Sequence, residues 1–171
     1  MSEMYSDLPI VYITRELADR TASLLDSFAV QRPSEGVVYW FGFQLAQYSI
    51  VTTLIVPDAE TFEGGLRTTA EANAEVLNAV TYTPLVYLGQ AHSHPGWRVE
   101  HSGVDDLQTF AQFNGVISVV VPWFGRYGFQ LRDCGVHRHL GGKFRWLHEV
   151  ERHLRVLPSQ IDLRKGDSDV F

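Results

Sequence analysis

The sequence predicts an α/β fold in which a central mixed β-sheet is flanked by helices. Short runs rich in β-branched and aromatic residues alternate with segments of helical periodicity, and strands outnumber helices. The run that begins at residue 83 is almost continuously apolar, which is typical of a strand buried on both faces. One domain is expected over residues 1–157, followed by a polar tail over 158–171.

The N-terminal half is predicted to contain three strands and two helices. Leucine and alanine recur at helical spacing behind Thr14, which is a suitable N-cap for the first helix. Two β-rich runs joined by a short turn predict a hairpin, and the stretch after Pro57 is expected to be a loop. These segments are a strand at 9–13, a helix at 14–28, hairpin strands at 36–43 and 48–57, a loop at 58–67 and a helix at 66–80.

The C-terminal half is predicted to contain the buried strand, a third helix and four further strands. Ser102 is placed to cap the helix, with Asp105 three residues later in a pattern close to a capping box. A Gly141-Gly142 turn predicts that the last two strands form a hairpin. The segments are a strand that begins at 83 and ends at two histidines, a helix at 102–114, strands at 115–122, 127–133, 135–140 and 143–147, and a stretch at 148–157 that is either a helix or a continuation of the last strand.

The composition argues against several classes of protein. The 171-residue chain has a net charge of −6 and no dense cluster of lysine or arginine, so nucleic acid is not an expected partner. No apolar run approaches the roughly 20 residues that span a bilayer, so no membrane association is expected. The single Cys134, expected in the core or a strand, excludes an internal disulfide. Because the acidic N-terminus is also unlike a signal peptide, we expect a cytoplasmic protein.

The stretch HSHPGWRVEHSGVD concentrates potential metal ligands at the end of the buried strand. Side chains alternate along an extended backbone, so His92 and His94 project to the same side and can bind one ion. Asp105, in the first turn of the next helix, is expected to supply a third ligand. Two histidines and a carboxylate suit zinc with a fourth position open to water, which is typical of a hydrolytic site.

Hydrolysis of a peptide also requires a group that accepts a proton and passes it on. Glu35 is the candidate, because an acid at the start of an otherwise buried strand is poorly explained by solvation alone. Ser102 lies one helical turn before Asp105, where its hydroxyl or the helix N-terminus can face a developing oxyanion. In isolation, Glu35 would be an ordinary surface acid and Ser102 an ordinary N-cap.

Together these residues resemble the JAMM motif of the JAB/MPN metalloproteases. The resemblance covers roughly residues 8–135 and implies a cytidine-deaminase-like α/β fold. By motif position it implies that His92, His94 and Asp105 bind Zn²⁺. It also implies that Glu35 is the catalytic acid/base and that Ser102 stabilises the tetrahedral intermediate. The motif residues are Glu35, Gly42 seven positions later, the run His92-Ser93-His94-Pro95, Ser102 and Asp105.

The resemblance further implies a deubiquitinase-like isopeptidase or peptidase that cleaves after the C-terminal tail of a ubiquitin-like protein. That protein and its conjugates are the expected partners, while the oligomeric state is not predicted. The compact chain is similar to stand-alone members encoded beside bacterial ubiquitin-like systems, including antiphage systems, and to relatives that trim sulfur-carrier proteins. One departure is Val38, which stands where the family often has glycine. The alternatives are a non-catalytic interaction module and a nucleobase deaminase, whose downstream Pro-Cys-x-x-Cys signature is absent.

Other motifs are assigned ordinary roles. His137 and His139 form a second H-x-H, but no acid or cysteine follows at useful spacing, so a solvated hairpin face is expected. HEVERH at 148–153 has one residue too many for a zincin motif, and its histidines do not share a helix face. His101 is expected at the rim of the pocket. The segment at 58–70 is expected to form a second wall, because relatives cradle the tail as an added strand near this position.

Overall fold

The computed structural model describes residues 8–30, 33–62, 65–107 and 109–161. Within these ranges the chain forms ten strands and three α-helices, with 3₁₀ turns at Trp123–Gly125, Leu131–Asp133 and Val150–Arg152. The strands are β1 (Ile10–Thr14), β2 (Val37–Gln44), β3 (Tyr48–Ile55), β4 (Ala59–Phe62), β5 (Gly65–Thr68), β6 (Val86–Ser93), β7 (Ile117–Val121), β8 (Gly135–Leu140), β9 (Lys143–Trp146) and β10 (Leu154–Leu157). The helices are α1 (Arg15–Phe28), α2 (Ala70–Val80) and α3 (Gly103–Leu107).

Eight strands form one mixed sheet, and β4 with β5 forms a separate hairpin. The order in the large sheet is β10-β1-β3-β2-β6-β7-β8-β9. β1 runs parallel to β3 and β10, and β6 runs parallel to β7, whereas the other neighbours are antiparallel. The predicted α/β class with a mixed sheet is confirmed. β2 and β6 lie in the interior of this sheet. His92 belongs to the end of β6, and His94 directly follows the strand.

Helices cover both faces of the sheet, which explains why β2 is almost entirely buried. Trp40 belongs to the core cluster that contains residues of α1, whereas Tyr39 and Phe41 belong to the cluster that includes Val76 of α2. This alternation follows from the two-residue period of a strand. The buried indole of Trp40 donates to the hydroxyl of Thr21 on α1 at 3.2 Å, so its polar atom is satisfied.

Several predicted elements occur as expected. Thr14 caps α1 and accepts a hydrogen bond from the N–H of Leu17 at 3.3 Å. β2 and β3 form the predicted antiparallel hairpin. β8 and β9 form the second hairpin around Gly141 and Gly142, whose φ angles of 57° and 87° lie in the region that glycine favours.

The segment predicted as a loop at 58–67 is instead the β4–β5 hairpin, so that prediction was wrong. The second helix consequently begins at Ala70 and not at residue 66, with Thr69 as its N-cap. Across the hairpin Glu60 and Arg67 are paired residues and form an ion pair. The composition of this segment is not rich in β-formers. Cross-strand contacts of this kind stabilise such a hairpin and are not visible in local propensity.

The third helix is much shorter than the predicted 102–114. It ends at Leu107, and residues 109–114 are not helical. The N–H of Phe110 donates to the side-chain oxygen of Gln90 at 3.3 Å, and the Phe110 ring packs 5.0 Å from that of Tyr87. These tertiary contacts replace the helical hydrogen bonds that the periodicity predicted.

The predicted strand at 127–133 is absent, because Gly128 has a φ of 80° and a 3₁₀ turn occupies Leu131–Asp133. Residues 148–157 continue neither as a helix nor as the preceding strand. They form a 3₁₀ turn and then β10, which pairs in parallel with β1 at the opposite side of the sheet. β10 ends at Leu157, and residues 162–171 of the predicted tail lie outside the described residues. The domain boundary at 157 stays a prediction.

Among the described helices, none combines the length and the apolar character needed to cross a membrane.

Candidate metal centre

Two histidines lie side by side at the end of β6. His92 pairs with Val37 of β2 and Val120 of β7, and it is 4% exposed. His94 follows the strand, and its N–H donates to the carbonyl of Val121 at 3.0 Å. The two ring centroids are 5.1 Å apart. The structure therefore brings both imidazoles to the same side, as the strand period predicts.

Asp105 approaches both histidines from α3. Its Oδ1 lies 3.6 Å from Nε2 of His92, and its Oδ2 lies 3.6 Å from Nε2 of His94. One ligand atom from each of the three residues lies within 4.8 Å of the others. Ligand atoms bound to a tetrahedral zinc at about 2.0–2.1 Å are roughly 3.3 Å apart. The spacing in the structure thus fits one ion shared by the three side chains.

A bound cation would satisfy one ring nitrogen of His92 that otherwise has no hydrogen-bond partner among the described residues. Both ring nitrogens of His92 are buried, and neither has a hydrogen-bond partner among the described residues. Nδ1 of His94 lies 2.9 Å from the carbonyl oxygen of Arg98, which can only accept, so Nδ1 carries the hydrogen. The lone pair of Nε2 then faces Asp105. A metal-binding histidine is usually oriented by such a second hydrogen bond. The donor set fits a metal ion.

The charges around these residues also favour a cation. Burial raises the pKa of the Asp105 carboxyl, but the imidazoles of His92 and His94 and the N–H of Ser102 outweigh burial and hold the pKa well below its usual range. Burial lowers the pKa of His94, yet Asp105 and Glu35 outweigh this effect, so the pKa is raised. A group of carboxylates that stabilises a protonated imidazole also stabilises a bound cation.

Ser102 caps α3, and its hydroxyl hydrogen has no acceptor among the described residues. Its hydroxyl oxygen accepts the N–H of Asp105 at 3.2 Å, while its own N–H donates to Oδ2 of Asp105 at 2.6 Å. This reciprocal pair is the predicted capping box, and it fixes the Asp105 carboxylate relative to the helix. Because the hydroxyl oxygen acts as an acceptor here, its hydrogen remains available to another oxygen. Ser102 is exposed and lines the cavity described below.

Glu35 reaches the site because Ser93 holds the adjoining backbone. The N–H of Gly36 donates to the hydroxyl of Ser93 at 2.9 Å, and the carbonyl of Gly36 accepts the N–H of Ser93 at 3.0 Å. These two bonds continue the pairing of β2 with β6 beyond Val37, and Glu35 thereby lines the same cavity as His94. In the sequence Ser93 is only the spacer between two histidines, so its role depends on a partner 57 residues away.

The environment of Glu35 suits proton transfer. Burial raises the pKa of its carboxyl to about 7, an effect that His94 opposes and Asp105 increases. A bound dication would lower this pKa, because its charge favours the carboxylate. A carboxyl group with a pKa near neutrality can both accept and release a proton under physiological conditions.

The five predicted site residues line one cavity of about 290 Å³. Val37, Phe62, Leu66 and Val104 give this cavity an apolar wall in addition to the polar cluster. Phe62 and Leu66 belong to the β4–β5 hairpin, within the segment that was predicted to form a second wall. Sequence reasoning did not identify Phe62 or Leu66 individually, because the segment was expected to be a loop without fixed side-chain directions.

The other histidines occupy different positions from those predicted. His101 does not lie at the rim. Its side chain is 6% exposed, and burial, reinforced by the charge of His92, lowers its pKa to about 4. His137 and His139 are buried rather than solvated, because β8 lies between β7 and β9 and all its residues are buried. The segment at 148–153 forms no zincin helix. The expected burial of Cys134 is confirmed.

No family model matches the chain. The probable metalloprotease y4jG of Sinorhizobium fredii is 31% identical to it over 144 residues, which cover 82% of this chain and 87% of that protein. This chain belongs to the JAB/MPN metalloprotease family. The convergence of the motif residues of this JAB/MPN chain at one cavity agrees with that membership.

Solved structures with TM-scores above 0.5 share the fold of this JAB/MPN chain at low sequence identity. A protein from Desulfitobacterium hafniense is 10% identical with a TM-score of 0.65, covering 87% of this chain and 94% of that one. A protein from Salinibacter ruber is 19% identical with a TM-score of 0.55, covering 80% and 88%. A JAB1/MPN domain protein from Archaeoglobus fulgidus is 18% identical with a TM-score of 0.48, covering 86% and 96%.

Proposed function

We propose that this chain is a zinc-dependent peptidase or isopeptidase that cleaves after the C-terminal tail of a ubiquitin-like protein. The observation that carries the proposal is the convergence of two imidazoles, one carboxylate and a partly buried glutamate on one cavity. Membership of a metalloprotease family supports a metal-dependent peptidase. Zinc is proposed because two histidines and one carboxylate with an open position are typical of catalytic zinc sites.

The residues have separate roles in the proposed reaction. His92, His94 and Asp105 would hold the zinc, which supplies Lewis acidity toward water and the scissile carbonyl. Glu35 accepts the proton of the attacking water and returns it to the departing amine. Ser102 donates its hydroxyl hydrogen to the oxygen on which negative charge develops.

The β4–β5 hairpin beside the cavity supports an extended tail as the substrate. β4 and β5 pair only with each other among the described strands, so each has an unpaired edge. An extended peptide can add to such an edge through its backbone. Phe62 and Leu66 would then contact its side chains while the scissile bond lies near Glu35. A ubiquitin-like protein presents a tail of this form.

Cleavage of a fluorogenic peptide that ends in a ubiquitin-like tail tests the activity. We expect turnover by the zinc-loaded chain, loss of turnover with a chelator and recovery when zinc is restored. Glu35→Gln should retain its zinc and lose roughly 10²–10⁴-fold in kcat, because it removes the proton acceptor and keeps the side-chain shape. Glu100→Gln, on the exposed loop, is the matched control. Wild-type turnover by Glu35→Gln would show that the base is wrongly assigned.

The same assays separate the alternatives. A chain that binds zinc and cleaves none of the tails offered would favour a non-catalytic interaction module. Cleavage of a sulfur-carrier precursor in preference to a ubiquitin-like conjugate would favour trimming. The neighbouring genes provide a second test: activating and conjugating enzymes beside a ubiquitin-like gene would favour deconjugation, including a role in antiphage defence.

A further inference from the structure

The position of Asp105 is not determined by its own helix. α3 contains only five residues. A helix this short is unstable alone, because the nucleation cost is recovered only over several turns. The capping box fixes the carboxylate relative to α3, but it does not fix α3 relative to the sheet that carries His92 and His94. Contacts outside the helix must therefore set the distance between Asp105 and the histidines.

His101 makes such contacts with both of its ring nitrogens. Nδ1 lies 2.8 Å from Oδ1 of Asp106 on α3, and Nε2 lies 2.9 Å from the hydroxyl of Ser118 on β7. A carboxylate only accepts, so Nδ1 donates to Asp106, and the Ser118 hydroxyl then donates to Nε2. One imidazole thus joins α3 to the strand next to β6 through two hydrogen bonds.

Two further contacts hold the same segment against β8. The His101 ring stacks on that of His137 with centroids 4.1 Å apart, and its backbone N–H donates to Nε2 of His137 at 3.4 Å. Two residues earlier, the backbone of Val99 lies against Gly135, where a Cβ would overlap the Val99 carbonyl oxygen. The chain therefore passes over β8 in close contact just before it enters α3.

His101 does not itself supply a ligand atom. It is not part of the cluster of ligand atoms formed by His92, His94 and Asp105 among the described residues. Both of its nitrogens already have hydrogen-bond partners, whereas neither nitrogen of His92 has one among the described residues. Its ring lies edge-on to that of His92, with centroids 5.3 Å apart. His101 therefore contacts a ligand residue through its ring, while both of its nitrogens are already engaged in hydrogen bonds and neither is available to bind a metal.

We propose that His101 is a positioning residue of the metal centre, which fixes Asp105 as the third ligand by holding α3 against β7 and β8. The inference rests on the proposed metal site, and it does not require that the chain cleave any particular substrate. It predicts that changes at His101 act on metal affinity through the carboxylate of Asp105.

The test is the zinc dissociation constant, measured by competition with a chelator on folded protein. We expect His101→Ala to weaken zinc binding about tenfold, the lower end of the usual effect of groups that orient ligands. His101→Phe keeps a ring against His92 and His137 but loses both hydrogen bonds, so it should also weaken binding. His148→Ala removes an exposed histidine whose ring lies against Trp146 and not against His101 or a ligand, and it should bind zinc as the wild type does.

Measuring His101→Ala in protein that also carries Asp105→Asn shows whether His101 affects zinc affinity through Asp105. If His101 acts through Asp105, His101→Ala should have no further effect on zinc affinity in Asp105→Asn protein. Additive losses, or wild-type affinity in His101→Phe, would overturn the inference. If His101→Ala does not fold, Ser118→Ala can be used instead, because it removes only the hydrogen bond between Ser118 and Nε2 of His101. Wild-type zinc affinity in Ser118→Ala would also overturn the inference. If the wild-type protein binds zinc but cleaves no peptide, the proposed peptidase activity is refuted. The zinc affinities of the His101 and Ser118 variants still test the positioning role.

Discussion

Replacing Ser93 with alanine removes the acceptor of a buried backbone hydrogen bond next to Glu35. Ser93 is fully buried, and its hydroxyl accepts the N–H of Gly36 at 2.9 Å. An unsatisfied buried donor costs about 1–3 kcal/mol. For a domain of this size, 1 kcal/mol shifts Tm by roughly 2–4 °C. A loss of about 2 kcal/mol therefore lowers Tm by roughly 4–8 °C. The second bond, from the N–H of Ser93 to the carbonyl of Gly36, remains in the variant.

The same substitution should affect catalysis more than metal binding. Glu35 loses one of the two bonds that hold its neighbouring backbone, and a displacement of about 1 Å can cost about 10²-fold in rate. We expect Ser93→Ala to lower kcat by roughly 10–100-fold at wild-type zinc content. Thermal unfolding, metal analysis and kcat on the tail peptide measure the three quantities. Thr52→Ala, which removes an exposed hydroxyl on β3, is the control. Unchanged Tm and kcat in Ser93→Ala would refute the reasoning.

Three further predictions concern the contact of Gly135 with Val99, the apolar wall of the cavity and the proposed metal ligand Asp105. Gly135→Ala should lower the free energy of unfolding by about 1–3 kcal/mol in urea denaturation, because its Cβ would overlap the carbonyl of Val99. Gly96→Ala adds a Cβ that meets no atom within 4 Å, so it should change the free energy of unfolding little. If Gly135→Ala and Gly96→Ala had the same free energy of unfolding, the packing argument would be contradicted. Phe62→Ala should raise KM for the tail peptide at similar kcat, since it removes part of the cavity wall, and an unchanged KM would exclude this contact. Zinc at a free concentration of about 1,000 times Kd should stabilise the wild type by roughly 4 kcal/mol. In calorimetry, the same concentration of free zinc should stabilise Asp105→Asn clearly less than the wild type. Equal stabilisation of the two proteins would show that the carboxylate is not a ligand.

The ligand pattern was readable from the sequence because its geometry is local. His92 and His94 are two residues apart on a strand, and the period of a strand places them on one side. Ser102 and Asp105 are three residues apart, which is the spacing of a capping box. Glu35 was suggested by its place at the start of a buried strand, but only the family motif connected it to residues more than fifty positions away.

Local patterns failed where tertiary contacts replaced them. The β4–β5 hairpin has a loop-like composition, and α3 stops at Leu107 although apolar residues continue at helical spacing. The histidines of β8 were expected in solvent, but their exposure depends on which strands lie beside β8. None of these outcomes follows from the residues within one segment.

The sequence by itself determined the fold class, the interior strand that ends at the histidines and the set of side chains able to bind a metal. These features depend on residue type and on spacings of two or three residues. Only the tertiary structure decided how the distant parts meet. Ser93 brings Glu35 to the cavity, and His101 holds α3 beside β7. The physical reason is that a hydrogen bond between residues far apart in the chain depends on the packing of whole elements, which a local pattern does not encode.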